Sequence, residues 1–195
     1  MITELAIAIR STLVFWVLTA MLYPLLILII GFVFPYQANG SLITDAQGQI
    51  IGSALIGQSF NSDRYFWSRP STTNYSEGEG EDAPTTGISG ASNLAPSNPD
   101  LLKRIQADAT KLELAGIQPI ADLLYTSGSS LDPHISLESA TAQAEKIAKV
   151  RGISPKNLDR LIKQNTEGRF LGIFGEPGVN VLKLNLALDA LKSPN

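Results

Sequence analysis

The chain has 195 residues, a net charge of −3 and no cysteine. Its length suits one domain with an attachment, and the mild acidity without a basic run argues against nucleic-acid binding. The absence of thiols excludes disulfides, thiolate nucleophiles and cysteine zinc sites, and the single histidine, His134, would leave a zinc ion mostly carboxylate ligands.

Residues 13–34, LVFWVLTAMLYPLLILIIGFVF, carry no charge over 22 residues. At about 1.5 Å per residue they span about 33 Å, enough for a bilayer core. The apolar part of a signal peptide is only about 7–15 residues long, so we read a transmembrane helix. Pro24 interrupts it in mid-span, which a neighbouring helix or a tolerated kink accommodates. Arg10 is the only Lys or Arg before Arg64. The positive-inside rule then places residues 1–12 in the cytoplasm and residues 36–195 outside.

A hairpin follows. Asp45 and Gly48 suit the first and fourth positions of a type I turn between SLIT and QIIGSALI. Gly52 and Gly57 begin the pattern G-x-x-x-x-G-Q-S. A phosphate-binding loop needs lysine where Gln58 stands and a helix directly after it, whereas Asn61-Ser62-Asp63 reads as a turn. The pattern is therefore read as a strand and its exit. In RYFWSRPSTTNY, residues 64–75, the residues Tyr65, Phe66, Arg69 and Pro70 form either a core edge or a rigid aromatic surface for a partner. Residues 76–99 are a long loop, with Glu77, Glu79, Glu81 and Asp82 as a solvated acidic cluster.

Helices come next. Asn98-Pro99-Asp100 opens one that Gly116 ends. Residues 120–130 read as a short buried strand entering a glycine loop. Ser136 caps a second helix that Gly152 stops, and Ser154-Pro155 opens a third. RFLGIFG, residues 169–175, reads as a strand, and Asn180 caps a last helix. The expected architecture is α+β: one N-terminal membrane helix (13–34) followed by a single mixed extracytoplasmic domain (36–195).

Two loops carry candidate chemistry. Ser127, Ser129, Asp132 and His134 are the residue types of a hydrolase triad, but they crowd into one segment and lack the G-x-S-x-G elbow. A turn at Asp132-Pro133 followed by a helix cap explains them equally. Ser89, Ser92 and Asn93 lie in a similar Ser/Gly loop. Such loops cradle an anion through backbone N–H groups or bond their own backbone. These seven residues are the candidate nucleotide or partner contacts. No residue is assigned as catalytic.

Several segments in order, YPLL, QANGSLI, GSALIGQSF, YFWSRPS, SGASNLAPSNP, TSGSSLDPHIS, AKVRGIS and GEPGVNVLKLNLALD, resemble the C-subunit family of the Kdp potassium-transporting ATPase. The resemblance runs over nearly the whole chain. It implies a single-pass protein of the plasma (inner) membrane. Its partners would be a channel-like potassium-binding subunit, a P-type ATPase subunit and a small single-helix subunit. It implies a non-catalytic role in assembly, with ATP as the only ligand suggested, through a raised ATP affinity of the ATPase subunit. The chain has no D-K-T-G phosphorylation sequence of its own. An extracytoplasmic domain cannot meet cytoplasmic ATP, so a cap on the outer mouth of the channel-like subunit is the competing role. Ala91, Ala95 and Ser130 replace the family's glycines, and Gly178 replaces its arginine. A stand-alone membrane-anchored hydrolase using Ser127 or Ser129 with His134 is the alternative from another class.

Overall fold

The computed structural model describes residues 2–45, 47–78 and 87–191, which fall into two compact units that divide between residues 42 and 43. Glu79, Glu81 and Asp82 of the expected acidic cluster lie outside the described residues.

The first unit is helical. Helix α1 (Ile2–Val17) continues through a π turn (Leu18–Leu22) into α2 (Tyr23–Val33), a 32-residue run whose apolar side chains are exposed on all sides. A helix apolar all round without protein packing suits a lipid surrounding. The helix includes eleven residues ahead of the uncharged run 13–34, because nothing in ITELAIAIRST breaks a helix. The π turn lies directly before Pro24. Proline has no N–H, and its ring would press on the carbonyl four residues back. The wider turn relieves this, and the Tyr23 N–H bonds to the Leu18 carbonyl, five residues back. A short helix, α3 (Pro35–Ala38), follows.

In the second unit, β1 (Leu42–Thr44) and β2 (Ile50–Ser53) form the expected hairpin. The Asp45 carboxylate accepts from the N–H groups of Gln47 (2.9 Å) and Gln49 (2.8 Å), and Gly48 N–H donates to the Asp45 carbonyl at 3.1 Å. The Gly52 and Gly57 pair has a packing cause. A Cβ at Gly52 would strike Gln58 and Leu182, and one at Gly57 would strike the Tyr75 ring. Gln58 itself donates to the Ile51 carbonyl at 2.8 Å.

Helices α4 (Pro99–Leu114), α6 (Leu137–Arg151), α7 (Pro155–Gln164) and α8 (Val181–Ala190) start where expected. Asn98, Ser136, Ser154 and Asn180 each accept a first-turn N–H through the side chain. Gly152 ends α6 in the left-handed region at φ 66°. A three-stranded antiparallel sheet, order β3-β5-β4, joins β3 (His134–Ile135), β5 (Gly178–Asn180) and β4 (Thr166–Glu167). The core fills the space between this sheet and the helices, with Phe66, Ile147, Leu158, Val179, Leu184 and Leu188 fully enclosed.

Two expectations fail. Residues 120–130 are not a strand: Ala121–Leu124 form the short helix α5. That turn carries the Asp122 carboxylate to the start of α6, where it accepts from Ser136 N–H (2.6 Å) and the Ser139 hydroxyl. A four-residue apolar run does not separate the two outcomes by periodicity. Residues 169–175 are not a strand either. A tight turn with positive φ at Leu171 (52°) and Gly172 (75°) folds Phe170 back on Phe174, with the side chains outward.

The stretch from Ala54 to Glu77 contains no strand, so its backbone polar groups need other partners. Two buried amides supply them. Asn185 accepts from Phe66 N–H (2.9 Å) and donates to the Phe66 carbonyl (3.0 Å). Gln143 does the same for Trp67, at 2.7 and 3.2 Å. Replacing Asn185 by Leu would leave both Phe66 groups buried and unpaired, at a cost of roughly 2–4 kcal/mol. Urea unfolding read by Trp67 fluorescence in a Trp16→Phe background checks this. A loss below about 1 kcal/mol would show that the amide does not hold this segment.

Candidate functional site

The candidate residues divide into two groups. The first is an ion network around the only histidine. His134 stands on β3 opposite Asn180, with Gly178 beside it: a Cβ at Gly178 would lie 3.2 Å from the His134 Cβ. Its Nδ1 faces Asp132 at 3.3 Å and its Nε2 faces Glu167 of β4 at 3.2 Å. Asp132 also meets Arg69 at 3.3 Å, and Glu167 meets Lys183 of α8 at 2.7 Å. Arg69 is further fixed to the Tyr125 carbonyl at 3.3 Å.

The electrostatics follow from these partners. The bond to Asp132 raises the His134 pKa, against burial, with Glu167 adding to the rise. Burial alone would raise Asp132, but the His134 ring and N–H and the Arg69 charge outweigh it and leave the carboxyl below its ordinary value. Burial likewise opposes the shift of Glu167, which Lys183 and His134 hold below its ordinary value. Tyr75 is pushed up to about 12, first by burial and then by the Asp132 charge.

A triad histidine needs one nitrogen on a carboxylate and the other on a serine hydroxyl. Here both ring nitrogens face carboxylates. The Ser127 and Ser129 hydroxyls lie 3.4 Å from each other, and that of Ser129 accepts the Leu131 N–H. Among the described residues, no three His, Asp or Glu side chains are placed to hold a metal.

The second group is a pair of loops bound to each other. The Ser129 carbonyl accepts from Gly90 N–H (3.0 Å) and the Ser89 hydroxyl (3.2 Å). The Ser130 carbonyl accepts from Ser71 at 2.8 Å, and the Ser130 hydroxyl lies 2.6 Å from that of Thr72. Ser130 is buried at φ 57°, the backbone for which glycine is the easier residue. Ser92 is half-buried and Asn93 exposed at φ 52°, and neither belongs to this set of bonds.

The aromatic segment is divided. Phe66 is fully enclosed in the core, so the expectation of a partner surface does not extend to it. Tyr65 is half-buried and donates to Asp189 at 2.9 Å, with the Arg151 guanidinium 4.9 Å from its ring centre. Trp67 lies under Lys146 at 3.7 Å and Lys111 at 5.0 Å. Burial lowers the Lys146 pKa. Arg69 and Pro70 line a cavity of about 160 Å³ with Trp67, Tyr75 and Lys111.

Sequence reasoning missed Glu167 and Lys183. Neither has a local signal, because the two-residue pairing of β4 with β5 brings Glu167 to a histidine 33 residues away.

The linkage has a definite sign. A raised His134 pKa gives stability that is complete below its ordinary 6.5 and lost as pH rises through the folded value. The lowered Asp132 and Glu167 give stability that is complete above their ordinary 3.8 and 4.5 and lost as pH falls through their folded values. All three contributions are therefore complete between 4.5 and 6.5. We expect the thermal midpoint of the full chain to fall from about pH 5.5 to about pH 8.5, and His134→Gln to flatten that fall. Equal slopes for the two proteins would contradict it.

The chain matches the family model described as "K+-transporting ATPase, c chain" over residues 5–190. It is 66% identical over 190 residues to the potassium-transporting ATPase KdpC subunit of Synechocystis sp., covering 97% of this chain and 99% of that one. It is 61% identical over 195 residues to KdpC subunit 1 of Nostoc sp., covering 97% and 96%. The KdpC subunit of Geobacter sulfurreducens is 47% identical over 195 residues, covering 96% and 98%.

Proposed function

The chain belongs to the K+-transporting ATPase c-chain family, and from that premise we propose that it is a non-catalytic accessory subunit of an ATP-driven potassium importer. It is anchored by its one membrane helix and works through assembly with the other subunits. Its partners are the channel-like potassium-binding subunit, the P-type ATPase subunit and the small single-helix subunit. The observation that carries the non-catalytic part is the seating of His134. A histidine between Asp132 and Glu167, each tied to a further cation, is a structural cross-tie with no free nitrogen to accept a serine proton.

Of the two accessory roles, capping the outer mouth of the channel-like subunit is favoured over raising the ATP affinity of the catalytic subunit. Arg10 before the membrane helix favours an extracytoplasmic domain, away from cytoplasmic ATP. The bonds between the Ser89 and Ser129 loops also use Gly90 N–H and the Ser89 hydroxyl, which a phosphate would need.

The deciding experiment is purification of the chain in mild detergent from its native membrane at low potassium, with potassium-stimulated ATPase assayed on the product. Co-purification with larger membrane subunits and that activity is the expected result. Recovery of the chain alone, from cells shown to make the other subunits, would overturn the proposal. His134→Gln should leave the ATPase of the assembled complex within about twofold. Loss of ATPase with assembly intact would return His134 to the chemistry.

A further inference from the structure

His134 joins two strands that do not pair with each other. In the order β3-β5-β4 it stands on one outer strand, opposite Asn180, and Glu167 stands on the other, opposite Gly178. The imidazole crosses the middle strand over Gly178: a Cβ there would lie 3.2, 3.4 and 3.5 Å from the His134 Cβ, Cγ and Cδ2. A residue without a side chain leaves that path open, and at its end Nε2 meets Glu167 at 3.2 Å.

The bridge has a proton requirement. A carboxylate only accepts, and a neutral imidazole has one N–H. Nδ1 lies 3.3 Å from Asp132 and Nε2 3.2 Å from Glu167, so both bonds exist together only when the ring is an imidazolium. Asp132 is the fixed partner. It is two residues away and also accepts the His134 backbone N–H (3.0 Å) and Arg69 (3.3 Å). Its bond is also the first cause of the raised His134 pKa. The proton lost at higher pH therefore leaves Nε2, whose lone pair then faces the Glu167 carboxylate.

The loss falls on a weakly held strand. Among the described residues β4 has two residues and pairs with β5 alone, too few ladder bonds to hold an outer strand. The Thr166 hydroxyl fixes its start to the Ile162 carbonyl at 2.8 Å, and Lys183 keeps Glu167 at 2.7 Å. Directly after it the chain enters the turn that exposes Phe170, Leu171, Ile173 and Phe174.

We propose that His134 is a proton-operated latch: as an imidazolium it ties β4 to β3 across the middle strand, and on losing its Nε2 proton it lets β4 and the turn after it open locally.

The other charged groups around the ring leave the switch to this one residue. Asp132 has Arg69 and Tyr75 behind it, and Glu167 has Lys183 of α8 behind it. Asp122, Glu138 and Glu176 line the cleft beside the ring. Asp122 is committed to Ser136 and Ser139, and Glu176 to Arg169. Tyr75, pushed up to about 12, stays neutral. Between about pH 5.5 and 8.5 histidine is the side chain that changes charge, and the chain has one, with no cysteine. The raised pKa keeps the latch closed below the ordinary 6.5 and opens it as pH rises through the folded value.

Amide hydrogen exchange of the full chain in detergent at about pH 5.5 and 8.5, corrected for intrinsic rates, reads local opening. Protection of residues 165–170 should fall at least roughly threefold more than that of α7, residues 155–164. A smaller difference overturns the latch, including the case in which both segments loosen together. His134→Gln should abolish the difference, and a difference that survives it would assign the opening to another group. Nitrogen NMR of the single imidazole gives a second reading with the histidine in place. The neutral ring should carry its proton on Nδ1, and Glu167→Gln should lower the titration midpoint by about 0.5 pH unit or more. An Nε2–H tautomer or an unchanged midpoint would overturn the latch. The chain is tested alone, so failure leaves the transporter-subunit reading untouched.

Discussion

Two buried side-chain amides hold the second unit together. A strandless segment cannot enter a core unless its N–H and C=O groups find partners. Gln143 from α6 and Asn185 from α8 each give one donor and one acceptor to a single backbone residue, Trp67 and Phe66. They act as a substitute strand edge. With those bonds in place, Phe66 enters the core as a large apolar anchor. Asn180 repeats the device, donating to the Ala54 carbonyl at 2.9 Å while capping α8. An apolar replacement of matching size cannot do this, since it leaves the backbone groups buried and unpaired.

The candidate site inherits its geometry from that anchoring. Once Phe66 and Trp67 are fixed, Arg69 reaches Asp132 and the Tyr125 carbonyl. Tyr75 donates to the Arg69 carbonyl at 2.5 Å, and its ring fills the space that Gly57 leaves open. The histidine then has a role that strand pairing alone does not fill. The strands β3 and β4 have two residues each, too few ladder bonds to fix a sheet. The chain Arg69–Asp132–His134–Glu167–Lys183 crosses them with side-chain charge. Each pair is partly exposed and individually weak, but consecutive pairs order one another. This is the construction of a structural cross-tie. The outward apolar turn lies on the link between β4 and β5.

Caps, the hairpin turn and the long apolar run were legible in the sequence because each acts over a few residues. Asn98, Ser136, Ser154 and Asn180 cap the helices they precede because a cap needs only the next three residues. Asp45 and Gly48 set the hairpin turn for the same reason. The long apolar run at the N-terminus needs no tertiary context either, since length and absence of charge define it. The resemblance carried by the ordered motifs was legible too, and the family match confirms it.

Other features had no local signal that could be read. Residues 121–124 became a helix because Asp122 binds the start of α6, and RFLGIFG turned outward because Leu171 and Gly172 adopt positive φ. Glu167 joined His134 through strand pairing too short to leave a pattern. The sequence by itself determined the long apolar helix, the capped helices and the family, because caps, turns and hydrophobic runs act over a few residues. Only the tertiary structure decided that Phe66 is core, that both nitrogens of His134 face carboxylates and that four apolar side chains remain outside. Phe66 turns on a polar partner 119 residues away and the second carboxylate of His134 on one 33 residues away, whereas the outward turn rests on positive φ at Leu171 and Gly172, which no local motif announces.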